Sequence, residues 1–162
     1  MSVTQVLDPG ELRRVFGAFP TGVTAVAALL DGEPIGMAAS SFTPVSLDPP
    51  LVSVCIARAS RTWRTLVVAP RLGISVLSAG QEVAGRRLSA RVGNRFDGLS
   101  WRATPDGAVL LDGAAAWLDC SLYAQHRAGD HDIVVLRVHD LDADQAIGPL
   151  VFHASRFRRL EG

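Results

Sequence analysis

From residue 22 onward, apolar and polar residues largely alternate, and turn formers recur at Asp31-Gly32, Asp48-Pro49-Pro50, Asp112-Gly113 and Ala128-Gly129-Asp130. A period of two between such breaks marks half-buried strands joined by tight turns. The pattern predicts strands over 22–30, 35–40, 51–57, 71–77, 115–127, 132–140 and 149–153. Along 115–127, Ala116, Leu118, Cys120, Leu122 and Ala124 alternate with Asp119, Ser121, Gln125 and Arg127, which assigns Cys120 to the core face. Ahead of these strands the period is helical. Asp8, Pro9 and Glu11 fit an N-cap, a first-turn proline and a capping-box acid, and Leu12, Val15, Phe16 and Phe19 form an apolar stripe expected to pack on the core. Strands in this number with two or three peripheral helices predict a mainly β, antiparallel small barrel.

Two later helix starts carry opposite charge patterns. The segment Ser78-Ala79-Gly80-Gln81-Glu82 reads as a Ser-capped helix with an acid in its first turn, Arg86, Arg87 and Arg91 toward its end, and Gly93 closing it. Every charge there opposes the nearby helix pole. The segment Ser60-Arg61-Thr62-Trp63-Arg64 also reads as a Ser-capped start, yet it holds two arginines and no acid. Cations at the positive end of a helix cost up to about 1 kcal/mol each unless an anion sits between them. Free backbone N–H groups, the Ser60 and Thr62 hydroxyls and the arginines together suit a phosphate. The alternative is two arginines pointing into water. Upstream, Gly36 to Thr43 is unusually small and hydroxyl-rich. It is either a tightly packed strand and turn or a backbone surface against which a flat ligand lies.

Composition narrows the chemistry. The chain has 162 residues, 48% of them hydrophobic and 20% charged, which is one domain's worth with a real core, expected to span 1–162. Sixteen basic and sixteen acidic residues cancel, so the basic field that nucleic-acid binding requires is missing. All the basic residues are arginine, which excludes Schiff-base lysine chemistry and a P-loop. No apolar run approaches the roughly 20 residues of a membrane span, and the N-terminus lacks the order of a signal peptide. A cytoplasmic protein is expected. Cys55 and Cys120 form no CxxC and are expected to be buried thiols. His131 lies between two aspartates at a turn, which by itself describes a solvated loop residue. A metal site built from His126, His131, Asp130 and Asp132 lacks a second ligand cluster, and none is expected. There is no GxSxG nucleophile motif.

The blocks Phe19-Pro20-Thr21-Gly22-Val23, Gly36 to Leu51, Ser60-Arg61-Thr62-Trp63, Arg95-Phe96 and Gly129-Asp130-His131 closely resemble the flavin reductase family, in order and over about residues 12–157. The resemblance implies an FMN-binding split β-barrel that forms a homodimer. It also implies a reaction in which NADH or NADPH reduces bound FMN or FAD, the reduced flavin then passing to a partner monooxygenase. By position, Thr21 would lie near the flavin, Met37, Ala38, Ala39, Ser40 and Ser41 would run along it, and Cys55, Ile56 and Ala57 would flank it. Ser60, Arg61 and Thr62 would hold the phosphate, and Arg95 and Phe96 would close the site. Gly129, Asp130 and His131 would meet the nicotinamide nucleotide, with His131 positioning it. Leu150-Val151-Phe152-His153 stands where relatives often carry a tyrosine, so any hydroxyl contact made there is absent here. The rival readings are an FMN-retaining oxidase of pyridoxamine-phosphate type and a flavin-binding module without catalysis.

Overall fold

Strand and helix propensities resolve into fifteen elements in the computed structural model, which describes residues 6–161. The reading of the first five residues lies outside that range. In chain order the elements are α1 (Pro9–Phe16), β1 (Thr21–Gly22), β2 (Thr24–Leu30), β3 (Glu33–Ala39), β4 (Thr43–Leu47), β5 (Pro50–Ala57), α2 (Arg61–Leu66) and β6 (Leu72–Val76). Then follow α3 (Glu82–Leu88), β7 (Trp101–Ala103), β8 (Val109–Leu111), β9 (Ala116–Ala128), β10 (His131–Ala143), β11 (Leu150–His153) and β12 (Arg156–Arg159). Seven strands form one antiparallel sheet in the order β3-β2-β6-β9-β10-β5-β4, with a small β1-β11-β12 sheet and a β7-β8 ribbon beside it. The mainly β, antiparallel expectation with three helices holds. The edge strands β3 and β4 are joined by residues 40–42 alone, so one short connection ties the two borders of the sheet together.

Apolar side chains pack in two clusters. One gathers Ile56, Trp63, Leu66, Ile74 and Leu136; the other gathers Leu77, Leu88, Phe96 and Leu150. Each large buried aliphatic side chain contributes roughly 1.5–3 kcal/mol of transfer free energy. That matters most for α2, whose six residues are too few for a helix stable by itself. Buried Trp63 and Leu66 pin it to the first cluster. Gly73 lets the β7-β8 ribbon approach β6, since a Cβ there would stand 2.1 Å from the Val109 carbonyl oxygen.

Several expectations are corrected. Helix α1 buries none of its residues, and Val15, Phe16 and Phe19 are exposed; after its end the Gly17 carbonyl accepts from the Ala154 N–H at 2.9 Å. Ser78 does not cap α3. Gln81 is the N-cap, and its side chain is drawn away, accepting from the Ser78 N–H and donating to the Asp112 carbonyl. The helix ends at Leu88, so Gly93, at φ +85°, belongs to the loop beyond, and so does Arg91. Along β9, Cys120 is buried as expected, but so is Asp119, while Leu122 is exposed. Register shifts against β10 at Val135/Leu136 and Val138/Asp140 interrupt the alternation, and Arg71 pairs with the Asp119 carboxylate at 3.2 Å. Cys55 is exposed, not buried, because its β5 position shares the open sheet face with its cross-strand partner Ile133. Strands β1, β4, β7, β8 and β12 are additions to the predicted set.

Candidate functional site

The site grows from the far half of β3. Its residues Met37, Ala38 and Ala39 pair with Val26, Ala25 and Thr24 of β2 on one side, leaving the other edge without a strand partner. Ser40, exposed, and Ser41 then lead the chain across to β4. Three contacts tie this edge to neighbouring segments. The Ser60 hydroxyl lies 4.0 Å from Met37 Sδ. The Cys55 N–H donates to Ser41 Oγ at 2.8 Å while that hydroxyl donates to the Cys55 carbonyl at 3.1 Å. Arg95 donates to the Gly36 carbonyl at 3.0 Å. Gly36 itself is required, since a Cβ would stand 2.8 Å from both Ala27 Cβ and Phe96 Cζ. Phe96 is thus buried in the second core cluster and anchors the loop that carries Arg95.

Helix α2 starts as its residues dictate. Ser60 is the N-cap, its hydroxyl accepting from the Trp63 N–H at 3.1 Å, and no acid lies in the first turn. None of the ion pairs among the described residues involves Arg61 or Arg64. The inverted charge therefore survives folding at Arg61 alone, since in this six-residue helix Arg64 lies in the last turn, where the dipole favours a cation. A cavity of about 310 Å³ opens between Thr62, Gly36, Arg91, Asn94, Arg95 and Phe96. The sequence pattern assigns Arg91 to the end of α3 and gives Asn94 no role; only the loop after α3 brings them opposite Thr62.

At the other end of the β3 edge, a cavity of about 290 Å³ is bounded by Phe16, Phe19, Thr21, Ser40, Phe152 and His153. Thr21 pairs with Phe152 across β1 and β11. Its Oγ1 is the buried side-chain oxygen left without a hydrogen-bond partner among the described residues. An unpaired buried hydroxyl costs about 1–3 kcal/mol, which a ligand acceptor or donor would offset.

The third part is the tip of the β9-β10 hairpin. Gly129, at φ +66°, makes the turn, and His131 opens β10 opposite Ala57. The Arg58 N–H donates to the Asp130 carbonyl at 2.9 Å, so the tip is fastened to the segment that runs into Ser60. His131 Nδ1 lies 2.7 Å from Asp130 Oδ1. That hydrogen bond, with the imidazole's charge, holds the Asp130 carboxyl below its ordinary value. Both side chains are solvent-accessible, so the pair orients the ring and adds little stability.

The structure thus groups Met37 to Ser41, Ser60 to Thr62, Arg95 and Thr21 around one strand edge, with Cys55 to Ala57 linking them to His131. Three of the expected residues are buried in the core clusters, Ala39, Ile56 and Phe96, leaving their backbone and their packing. The arrangement offers hydroxyls and cations for a phosphate at one end, a planar strip of backbone, and an orphaned hydroxyl at the other. It contains no nucleophile held by a base.

A sequence model of the family described as flavin reductase like domain matches residues 16–161. A probable flavin reductase of Rhizobium meliloti is 45% identical over 135 residues, 83% of this chain and 43% of that protein, so the chain spans less than half of that relative's length. The reductase subunit HsaB of a flavin-dependent monooxygenase of Rhodococcus jostii is 35% identical over 97% of this chain and 80% of its own. Among solved structures, the NADH:FAD oxidoreductase SgcE6 of Streptomyces globisporus, in complex with NAD and FAD fragments, superposes with a TM-score of 0.89 at 40% identity, covering 98% of each chain.

Proposed function

Since this chain belongs to the flavin reductase like domain family, we propose that it is an NAD(P)H:flavin oxidoreductase that reduces FMN or FAD and supplies the reduced flavin to a partner monooxygenase. The observation that carries the reading is the α2 N-terminus, where Arg61 stands at a helix pole of its own sign with no acid in the first turn, Arg64 falling in the last turn. A flavin phosphate completes that arrangement, and the relatives' names agree with it.

In this reading the backbone N–H groups of Arg61 and Thr62, the Thr62 hydroxyl and the Arg61 side chain hold the phosphate, while Ser60 serves mainly as the cap. The strip from Met37 to Ser41 and the backbone of Cys55, Ile56 and Ala57 border the ring system, and the Thr21 hydroxyl finds its missing partner there. Arg95, set by Gly36 and by buried Phe96, closes one side. Gly129, Asp130 and His131 receive the nicotinamide nucleotide, with Asp130 setting the orientation of the His131 ring. Bound flavin supplies the hydride-accepting ring; the protein's share is to hold two planar partners in register and to bind the product loosely enough for release.

The proposal includes a single domain with its core over about 12–157, in which the connection at 40–42 joins the sheet borders into a split barrel. It includes a homodimer, supported by exposed Leu122, Tyr123 and Ile133 on the β9-β10 hairpin. No helix among the described residues is long and apolar enough to cross a membrane, and a cytoplasmic site of action suits the reaction.

Steady-state oxidation of NADH and of NADPH, each with FMN, FAD and riboflavin, tests the reading. Turnover with at least one phosphorylated flavin is expected, together with anaerobic bleaching of the flavin band. A protein that binds flavin yet leaves it unbleached by either nucleotide would overturn the reductase assignment.

A further inference from the structure

The β9-β10 hairpin approaches its tip with a neighbouring strand on one side only. Strand β6 pairs with β9 no further than Leu72 opposite Cys120, so residues 121–128 have β10 alone as ladder partner, while β5 holds β10 up to His131 opposite Ala57. A ribbon end flanked once opens more readily than a strand inside a sheet. Support for His131 from outside the hairpin comes, among the described residues, from the β5 side. Just past β5 stands Arg58, in the turn where the Ser60 N–H donates to the Ala57 carbonyl at 3.0 Å. It grips the tip twice. Its backbone N–H donates to the Asp130 carbonyl at 2.9 Å and its Nη1 donates to Asp132 Oδ1 at 3.4 Å, so the two contacts bracket His131 in the chain.

The ladder offers Asp132 a different cation. Its register partner on β9 is Arg127, and opposite charges facing each other across an antiparallel pair attract. Yet Asp132 pairs with Arg58, and no ion pair among the described residues joins it to Arg127. The Asp132 side chain is only 22% exposed in that pair, so salt screens it less than a fully solvated one. Successive side chains of a strand point to opposite faces, which separates Asp132 from the face of His131. Its influence on His131 runs through the backbone.

We propose that Arg58 and Asp132 are positioning residues for the nicotinamide nucleotide, a clamp that holds His131 in place against the end of β5. The inference rests on the reading above that His131 receives this nucleotide and that Cys55 to Ala57 border the flavin ring. It adds the joint that keeps those two subsites in register. A tip released from the clamp presents His131 in many placements, few of which accept the nucleotide, and apparent affinity falls by the fraction of competent placements lost. Once the nucleotide is bound the competent placement is already selected, so KM rises while kcat holds.

Initial rates with NADH and titrations with FMN and FAD test the clamp on the full chain. Arg58→Gln and Asp132→Asn should each raise the KM for NADH about threefold, the scale of a partly exposed ion pair, and the two together no more than either alone. Arg58→Lys should stay near the native KM, since a single nitrogen makes the contact. Flavin affinity and kcat should stay near native in all of these variants. In a His131→Ala background, Arg58→Gln should change the KM no further, which a general loosening of the fold would not reproduce. An unchanged KM in Arg58→Gln, a further rise in the His131→Ala background, or flavin affinity falling in step with the KM would each overturn the clamp. Failure of the underlying reading looks different: His131→Ala alone would then leave the KM for NADH native, and the role given to Arg58 would fall with it.

Discussion

The Ser41 hydroxyl and the Cys55 peptide exchange two hydrogen bonds, Cys55 N–H to Ser41 Oγ at 2.8 Å and Ser41 Oγ–H to the Cys55 carbonyl at 3.1 Å. The β4 ladder on β5 reaches only to Thr43 opposite Ser53. One side chain therefore takes the place of the next strand residue and fastens the β3-β4 connection to β5. Ser41→Ala should lower the free energy of unfolding by about 1 kcal/mol, seen as a reduced urea midpoint at unchanged slope. An unshifted midpoint would mean the two bonds are replaced by water at no loss.

The phosphate assignment separates from capping in a chosen pair of variants. Ser60→Ala removes the bond to the Trp63 N–H and should cost stability as well as affinity. Arg61→Gln combined with Thr62→Val leaves that cap in place. It should weaken FMN by about 1–3 kcal/mol while riboflavin, which has no phosphate, is barely affected. Calorimetric titration with both flavins decides it; parallel losses would place the phosphate elsewhere.

At the hairpin tip, His131→Ala should raise the KM for NADH while flavin affinity stays near the native value. The reverse split, with flavin affinity lost and KM retained, would assign the residue to the flavin. Because the Asp130 carboxyl is held low by its bond to His131, it stays ionised over the working pH range. Asp130→Asn should therefore act in the same direction as His131→Ala, and more weakly, in initial-rate measurements.

The two thiols should behave as different reagents. Burial first, and then the neighbouring Asp119 charge, push the Cys120 thiol up from 9.0 to about 12, with Arg71 opposing. In the native state it keeps its proton where the unfolded chain has lost it. Its contribution to stability is complete below pH 9.0 and declines as pH rises toward about 12. Urea unfolding across that window should show the decline, and Cys120→Ala should remove part of it. In a disulfide-exchange assay at neutral pH, exposed Cys55 should react in the folded protein and Cys120 only after unfolding.

Much of this protein is present in its one-dimensional pattern. The short apolar runs of β2, β5 and β6, the alternation along β10, the cap at Ser60 and the absence of any acid in the turn after it are local properties, set by side-chain type and spacing. Folding leaves them as they are. The places where the reading failed share a cause. Bulges in the β9-β10 ladder exchange the exposures of Asp119 and Leu122, Gln81 is pulled from its capping role toward Asp112, and α1 finds no core to cover its apolar face. Each of these depends on a partner distant in the chain. The same holds for Arg91, Arg95 and Asn94, which stand opposite Thr62 only because Phe96 is seated over Gly36. Local spacing determines which segments become strands, caps and turns, since those energies act between near neighbours; which side chains share a cavity is decided by packing between segments that sequence order keeps apart.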